Sequence, residues 1–196
     1  EVTAGALWLT GAGLGSDDAE LRGNRVPPDG FTLFTTDTRA AAAPGVDARV
    51  GYWLTRALAV EGGVLFARPS LRTRVTSDAE GAAALTVEER LDQYFFDASV
   101  VLLLDALRIG GATVPFVSGG AGYLRQLHEG RTLVESGQVY HGGGGIRHWL
   151  RMRDRGFVRG LGLRVDGRLY VLAGGAGIED RPRAHGAISG GVFVTF

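Results

Sequence analysis

The sequence predicts an all-β fold: a closed, antiparallel, up-and-down transmembrane β-barrel of about eight strands, or about ten if one further segment forms its own hairpin. Three observations predict it. Glycine makes up 32 of the 196 residues and comes in clusters such as Gly119-Gly120-Ala121-Gly122, Gly142-Gly143-Gly144-Gly145 and Gly174-Gly175-Ala176-Gly177, which opposes long helices. Several segments alternate apolar and polar residues with a period of two, as a strand with two different faces must. Short and long polar connections also alternate along the chain, the loop asymmetry of a barrel that crosses a bilayer with its tight turns on one side.

Taken in order, residues 4–14 form a Gly-rich first strand, and the polar stretch 16–30, with Asp17, Asp18, Glu20, Arg22 and Arg25, is expected to be a solvated loop. Residues 47–54 place Ala48, Val50, Tyr52 and Leu54 on one face and Asp47, Arg49 and Trp53 on the other. Residues 31–39 either extend this second strand past Pro44-Gly45 or form a separate hairpin, which sets the difference between eight strands and ten. In residues 58–75, Val60, Val64 and Phe66 oppose Glu61. Residues 93–104 set Tyr94, Phe96, Ala98, Val100, Leu102 and Leu104 against Gln93, Asp97 and Ser99. Residues 113–126 and 139–152 are less regular strands. After the turn at residues 153–156 the alternation is clearest, with Phe157, Leu161, Leu163, Val165, Leu169 and Val171 against Arg164, Asp166 and Arg168. Residues 185–196 close the set. Turns near Arg56, at 106–110 and at 153–156 alternate with longer links at 16–30, 78–84, 128–137 and 179–183.

Composition bounds the function. The length and a hydrophobic content of 45% suit a single domain over residues 1–196. Basic and acidic residues are balanced at 21 each, so no broad positive field draws in nucleic acid. All the basic residues are Arg. Cysteine is absent, which removes disulfides, thiolate metal sites and a cysteine nucleophile. No apolar run approaches the ~18 residues of a membrane helix. A start at Glu1 is what a mature chain with its signal peptide removed would have.

Apolar residues are expected outside and ionic ones inside. The long strands carry more apolar side chains than a narrow eight-stranded interior holds, while charges of both signs can pair across it. Gly160 and Gly162, beside Arg164 on the same face, are expected to leave room for its side chain. Trp8, Tyr52, Tyr94, Phe116, Tyr123, Tyr140, Phe157 and Tyr170 lie near strand ends, where an interfacial girdle places them. Arg49, Glu61, Asp97, Arg164, Asp166 and Arg168 then form a lumen ion-pair network, read as a plug in preference to a selectivity filter.

In the final strand Ile188, Val192, Val194 and Phe196 share one face, with Ser189 and Gly191 on the other. Ser189, Gly191, Val194 and Phe196 resemble the C-terminal insertion signal of bacterial outer-membrane proteins, with Val194 standing where an aromatic is frequent. In pattern the whole chain is similar to the small OmpA-like and OmpX-like barrels. The resemblance implies export to the outer membrane of a Gram-negative cell, contact with outer-membrane lipid, and insertion by the barrel-assembly machinery reading the last strand.

The remaining candidates carry weaker signals. Ser118 or Ser136 with His128 or His141 and Glu129 or Glu135 offers the residue types of a lipid A-modifying enzyme, but with no motif spacing. His128, His141, His148 and His185 are the candidate metal ligands, but His141 and His148 are seven apart on a strand, hence on opposite faces, which argues against a shared ion, and no metal site is expected. The glycines at 142–145 lack the Lys and Ser/Thr of a phosphate loop and are read as close strand approach. The expectation is a non-enzymatic barrel without cofactor, structural or interacting through its external loops with a ligand or host surface, and not a general porin. The alternatives are a soluble lipocalin-like barrel for an apolar ligand and, behind it, the lipid A-modifying enzyme.

Overall fold

The computed structural model describes residues 1–22, 30–128, 133–153, 155–174 and 183–196. Among them the chain forms strands β1 (Val2–Leu9), β2 (Ala12–Arg22), β3 (Gly30–Ala40), β4 (Ala43–Trp53), β5 (Leu58–Ala67), β6 (Ser70–Thr76), β7 (Leu85–Arg90), β8 (Asp92–Leu103), β9 (Thr113–Leu127), β10 (Val134–Met152), β11 (Gly160–Gly174) and β12 (Arg183–Thr195). A single turn of 3-10 helix, Asp105–Leu107, precedes β9. None of the helical structure is long and apolar enough to cross a membrane.

Eight strands close into an antiparallel barrel in the order β1-β12-β11-β10-β9-β8-β5-β4, sealed where β1 pairs with both β12 and β4. Closure satisfies every ladder edge, which matters in hydrocarbon because an unpaired backbone group there costs several kcal/mol. The other four strands form a second sheet, β2-β3-β6-β7, that prolongs the barrel on one side. Each is continuous in chain with a barrel strand: β1 runs into β2 across Thr10-Gly11, β3 into β4 across Ala41-Ala42, β5 into β6 across Arg68-Pro69, and β7 into β8 across Leu91. Single hydrogen bonds carry the pairing over these joints, from Thr10 N to Gly186 O (2.8 Å), Ala41 N to Ser70 O (2.8 Å) and Leu91 N to Pro69 O (3.0 Å).

The segment 31–39 is therefore the outward extension of the second barrel strand, and the barrel has eight strands. The expected loop at 16–30 is shorter than its polarity suggested, because residues 16–22 belong to β2. There the Thr35 hydroxyl donates to Asp18 (2.7 Å) and the Thr36 hydroxyl to the Asp17 carbonyl (3.0 Å), so polar side chains support the ladder instead of disrupting it. Likewise 134–137 belongs to β10, and Phe157 lies in a turn before β11 begins. Arg25, Glu129, Asp154 and residues 175–182 lie outside the described residues.

Alternation sorts the barrel cleanly. Val50 is 65% exposed and Ile188 62%, with Val100, Leu102, Val165, Leu169 and Val192 exposed beside them on the outer wall. Inside, the charged middle is bracketed by apolar layers. One, toward the second sheet, contains Leu7, Leu9, Leu65, Phe95, Leu124, Val139, Tyr170 and Leu172. The other, toward the short turns, is Ala59, Val101 and Phe116 with Trp53 and Leu103 against it. Of the eight expected girdle aromatics, Phe116 and Tyr170 instead point into the lumen, while Trp8, Tyr52, Tyr123, Tyr140 and Phe157 face outward. Tyr94 packs between Phe66 and Phe96 on the outer wall.

Candidate functional site

Across the middle of the barrel two arginines organise the lumen. Arg49 of β4 donates from Nη1 and Nη2 to the two oxygens of Asp97 on β8 (2.9 and 3.2 Å) and from Nε to Asp47 (3.1 Å). Arg164 of β11 makes the same kind of fork with Glu61 of β5 (2.6 and 3.2 Å) and donates from Nε to Asp166 (2.9 Å). A planar guanidinium suits such bidentate pairing, and a lysine would not reproduce it. In the barrel order β11 and β5 stand four places apart in either direction, so the Arg164–Glu61 pair spans the full diameter. Arg168 also donates to Asp166 (3.3 Å), and the Ser189 hydroxyl donates to the other oxygen of that carboxylate (3.1 Å). Arg49, Glu61, Asp97, Arg164, Asp166 and Arg168 are all buried inside the barrel, as is Asp47.

Glycines supply the space. A Cβ on Gly63 would come within 2.6 Å of Arg49 Nη1, and one on Gly145 within 2.6 Å of the Asp166 Cβ. A Cβ on Gly143 would meet the Gly167 carbonyl oxygen, so part of the run at 142–145 does serve close strand approach. Gly160 and Gly162 make room for different partners from the one expected: Trp149 and Phe193 occupy their space, not Arg164. Arg164 lies instead with its guanidinium 4.5 Å from the Phe116 ring centroid.

A second cluster, toward the short turns, was not anticipated. Arg147 is 0% exposed, and its guanidinium sits 4.2 Å from the Phe193 ring centroid, 4.9 Å from Trp53 and 5.4 Å from Trp149. The Glu1 carboxylate pairs with Arg147 and accepts from Trp53 Nε1 (3.0 Å). The available signal was parity, since Arg147 and Trp149 share the odd-numbered face of β10 with His141.

Among the described residues, which exclude Glu129, the candidate serine, histidine and acidic residues do not assemble as a nucleophile and base. His128 contacts Glu89 (3.1 Å) and lies 3.8 Å from Glu135, whereas Ser136 is exposed on the other face. His141 Nε2 lies 3.3 Å from Ser99 Oγ and 3.4 Å from Asp97 Oδ1, so hydroxyl and carboxylate meet the same ring nitrogen. A triad needs the acid on the opposite nitrogen, and His141 Nδ1 has no partner. His148 points outward to Thr113 (2.8 Å), and His185 faces the Thr10 carbonyl (3.4 Å). Among the described residues no group of three or more His, Asp or Glu is placed to hold a metal ion.

The C-terminal residues take two faces as predicted from their spacing. Ser189 reaches Asp166 inside; a Cβ on Gly191 would collide with Ala4 and Gly5 across the closing seam; Val194 pairs with Val2 and Leu161. Phe196 packs against Phe157 outside, ring centroids 4.9 Å apart and planes tilted by 48°.

Among solved structures, the outer-membrane protein OprG of Pseudomonas aeruginosa matches with a TM-score of 0.55 at 12% identity, covering 100% of this chain and 94% of that one. The fold is that of an outer-membrane barrel. Neisserial surface protein A (TM-score 0.48, 12% identity, 100% and 97% covered) and Ail of Yersinia pestis (0.45, 13%, 100% and 99%) also align. No protein-family model and no curated protein matches the sequence, so the likeness to OmpA-like barrels remains one of pattern.

Proposed function

We propose that this chain is a bacterial outer-membrane protein whose barrel is an anchor with a plugged lumen, and that it acts through the sheet β2-β3-β6-β7 outside the membrane and not as a general porin. The observation that carries this reading is the inside-out distribution of side chains on a closed barrel: ion pairs within, Val, Leu and Ile on the outer wall. A water-soluble lipocalin-like barrel requires the reverse. The plug is supported by the two forked arginine pairs and by the apolar layers on either side of them along the axis. On the outward face of the second sheet Asp37, Arg39, Arg72, Arg74 and Glu88 follow in adjacent rows, a polar surface suited to a ligand or host surface. Strand β12, with Ser189, Gly191, Val194 and Phe196, is the segment the barrel-assembly machinery would read.

The test is fractionation of the expressed protein followed by gel mobility with and without heating in detergent. Recovery in the outer membrane with a heat-dependent shift is the expected outcome. A protein that stays in solution without detergent and shows no shift would overturn the membrane reading and restore the soluble carrier.

A further inference from the structure

A β-bulge in β10 turns Arg151 and Arg153 to the lipid side of the barrel, where the alternation alone would have placed them inside, and Arg159 of the following turn joins them there. Trp149 faces the lumen, meeting Phe193 edge-on at 4.7 Å, and pairs with Gly162. The register then shifts, so that Arg151, two residues later, pairs with Leu161 of the outer face. Without the shift Arg151 and Arg153 would follow Arg147 and Trp149 into the interior. Bulges re-aim side chains in this way, and they concentrate at barrel rims and next to functional sites. Arg153 N donates to Arg159 O (2.8 Å), setting those two residues opposite each other one step further out.

The result is a cleft lined by Arg151, Arg153, Val158, Arg159, Gly160 and Leu161. Among the described residues none of the three guanidiniums has a carboxylate partner, and unlike the other arginines without one they share a single cleft. Beside the cleft the packed rings of Phe157 and Phe196 mark the interfacial level, and along the wall from Leu161 run Leu163, Val192 and Val194. Three guanidiniums with no carboxylate partner among the described residues, at the head of an apolar wall, match one chemistry: a phosphodiester headgroup whose acyl chains lie along that wall.

We propose that this cleft is a binding site for an anionic phospholipid of the periplasmic leaflet, its phosphate held by Arg151, Arg153 and Arg159. The proposal rests on the membrane-barrel reading above, with the short turns on the periplasmic side. A zwitterionic lipid brings its own ammonium into the cleft and gains less from three cations. Free phosphate lacks the contact with Leu161 and its neighbours.

The experiment is native mass spectrometry of the full chain released from detergent micelles, titrated with phosphatidylglycerol, with phosphatidylcholine of the same acyl chains, and with inorganic phosphate. The expected result is phosphatidylglycerol binding at least about tenfold tighter than phosphatidylcholine, with phosphate a weak competitor. In the triple variant Arg151→Gln/Arg153→Gln/Arg159→Gln that preference falls to about twofold or less, while Arg90→Gln/Arg125→Gln toward the opposite end leaves it intact. Equal binding of the two lipids, an unchanged preference in the triple variant, or full displacement by inorganic phosphate would each overturn the site. Heat-dependent mobility measured on the same samples separates the two levels: a shifting barrel without lipid preference fails the cleft alone, and a wild-type chain that does not shift fails the barrel reading with it.

Discussion

Arg164 and Glu61 join strands that share no hydrogen bonds, so the pair is a strut between opposite walls. Removing one partner of a buried pair leaves the other charge uncompensated, which typically costs about 3–5 kcal/mol, whereas replacing both by apolar residues of similar volume can be nearly neutral. Glu61→Gln is therefore expected to lower the urea midpoint of the barrel in lipid vesicles by an amount in that range, and Glu61→Leu/Arg164→Met to recover most of it. Unchanged stability in Glu61→Gln would mean that the strut is ornamental. Gly63 makes a related point, because any side chain there displaces the Arg49 guanidinium from Asp97. Parity in the sequence was enough to put Arg49, Glu61, Asp97, Arg164, Asp166 and Arg168 on one face, since each is flanked by apolar residues. It failed for Tyr170 and Phe116, which were assigned by residue type to the membrane interface although Tyr170 shares the even-numbered face of Arg168. Arg147 was hidden by the glycines before it, which carry no polarity to alternate.

At the level of strands, what was legible followed from contrast between faces. Strands β4, β5, β8, β11 and β12 carry exposed apolar residues on one side and ions or packed side chains on the other, and their sequences show it. Strands β2, β3, β6 and β7 have polar residues on both sides, so residues 16–22 read as loop and 31–39 could be placed two ways. Their order comes from cross-strand pairs that a single sequence does not display, such as Thr38 with Thr73 (3.1 Å) and Arg72 with Glu88 (2.8 Å). In the last strand spacing assigns Ile188, Ser189, Gly191, Val192, Val194 and Phe196 to their faces, while the buried Phe193 between them goes unread. Phe196 adds its ring to Phe157 on the outer wall and contributes nothing to the lumen, so its deletion should leave the ion pairs intact yet reduce the membrane-assembled fraction more than any change in an external loop. Quantifying the heat-shifted band in cell envelopes tests this; normal assembly of the truncated chain would remove β12 as an insertion signal.

For the molecule as a whole, the lumen and the second sheet make separable demands. Ion pairs and apolar layers cross the barrel interior, so under the proposed plug the protein in a planar bilayer is expected to show no stable single-channel current, and Arg164→Ala to destabilise the barrel without opening a large one. Large currents from the wild type would refute the plug. The second sheet, by contrast, adds no strand to the closed ring: β1 pairs with β4 and β5 with β8 over their full lengths, and both pairings end at the joints where β2, β3, β6 and β7 begin. The buried residues Leu14, Thr38 and Leu91 lie at or near those joints, and the contacts between β2 and β12 are few beside those within the ring. Replacing residues 12–40 and 70–90 by short turns is therefore expected to yield a chain that still inserts and still shifts on heating, while any binding to a ligand or host surface is lost. A truncated chain that no longer forms a heat-shifting barrel would show instead that the external sheet is needed to close it.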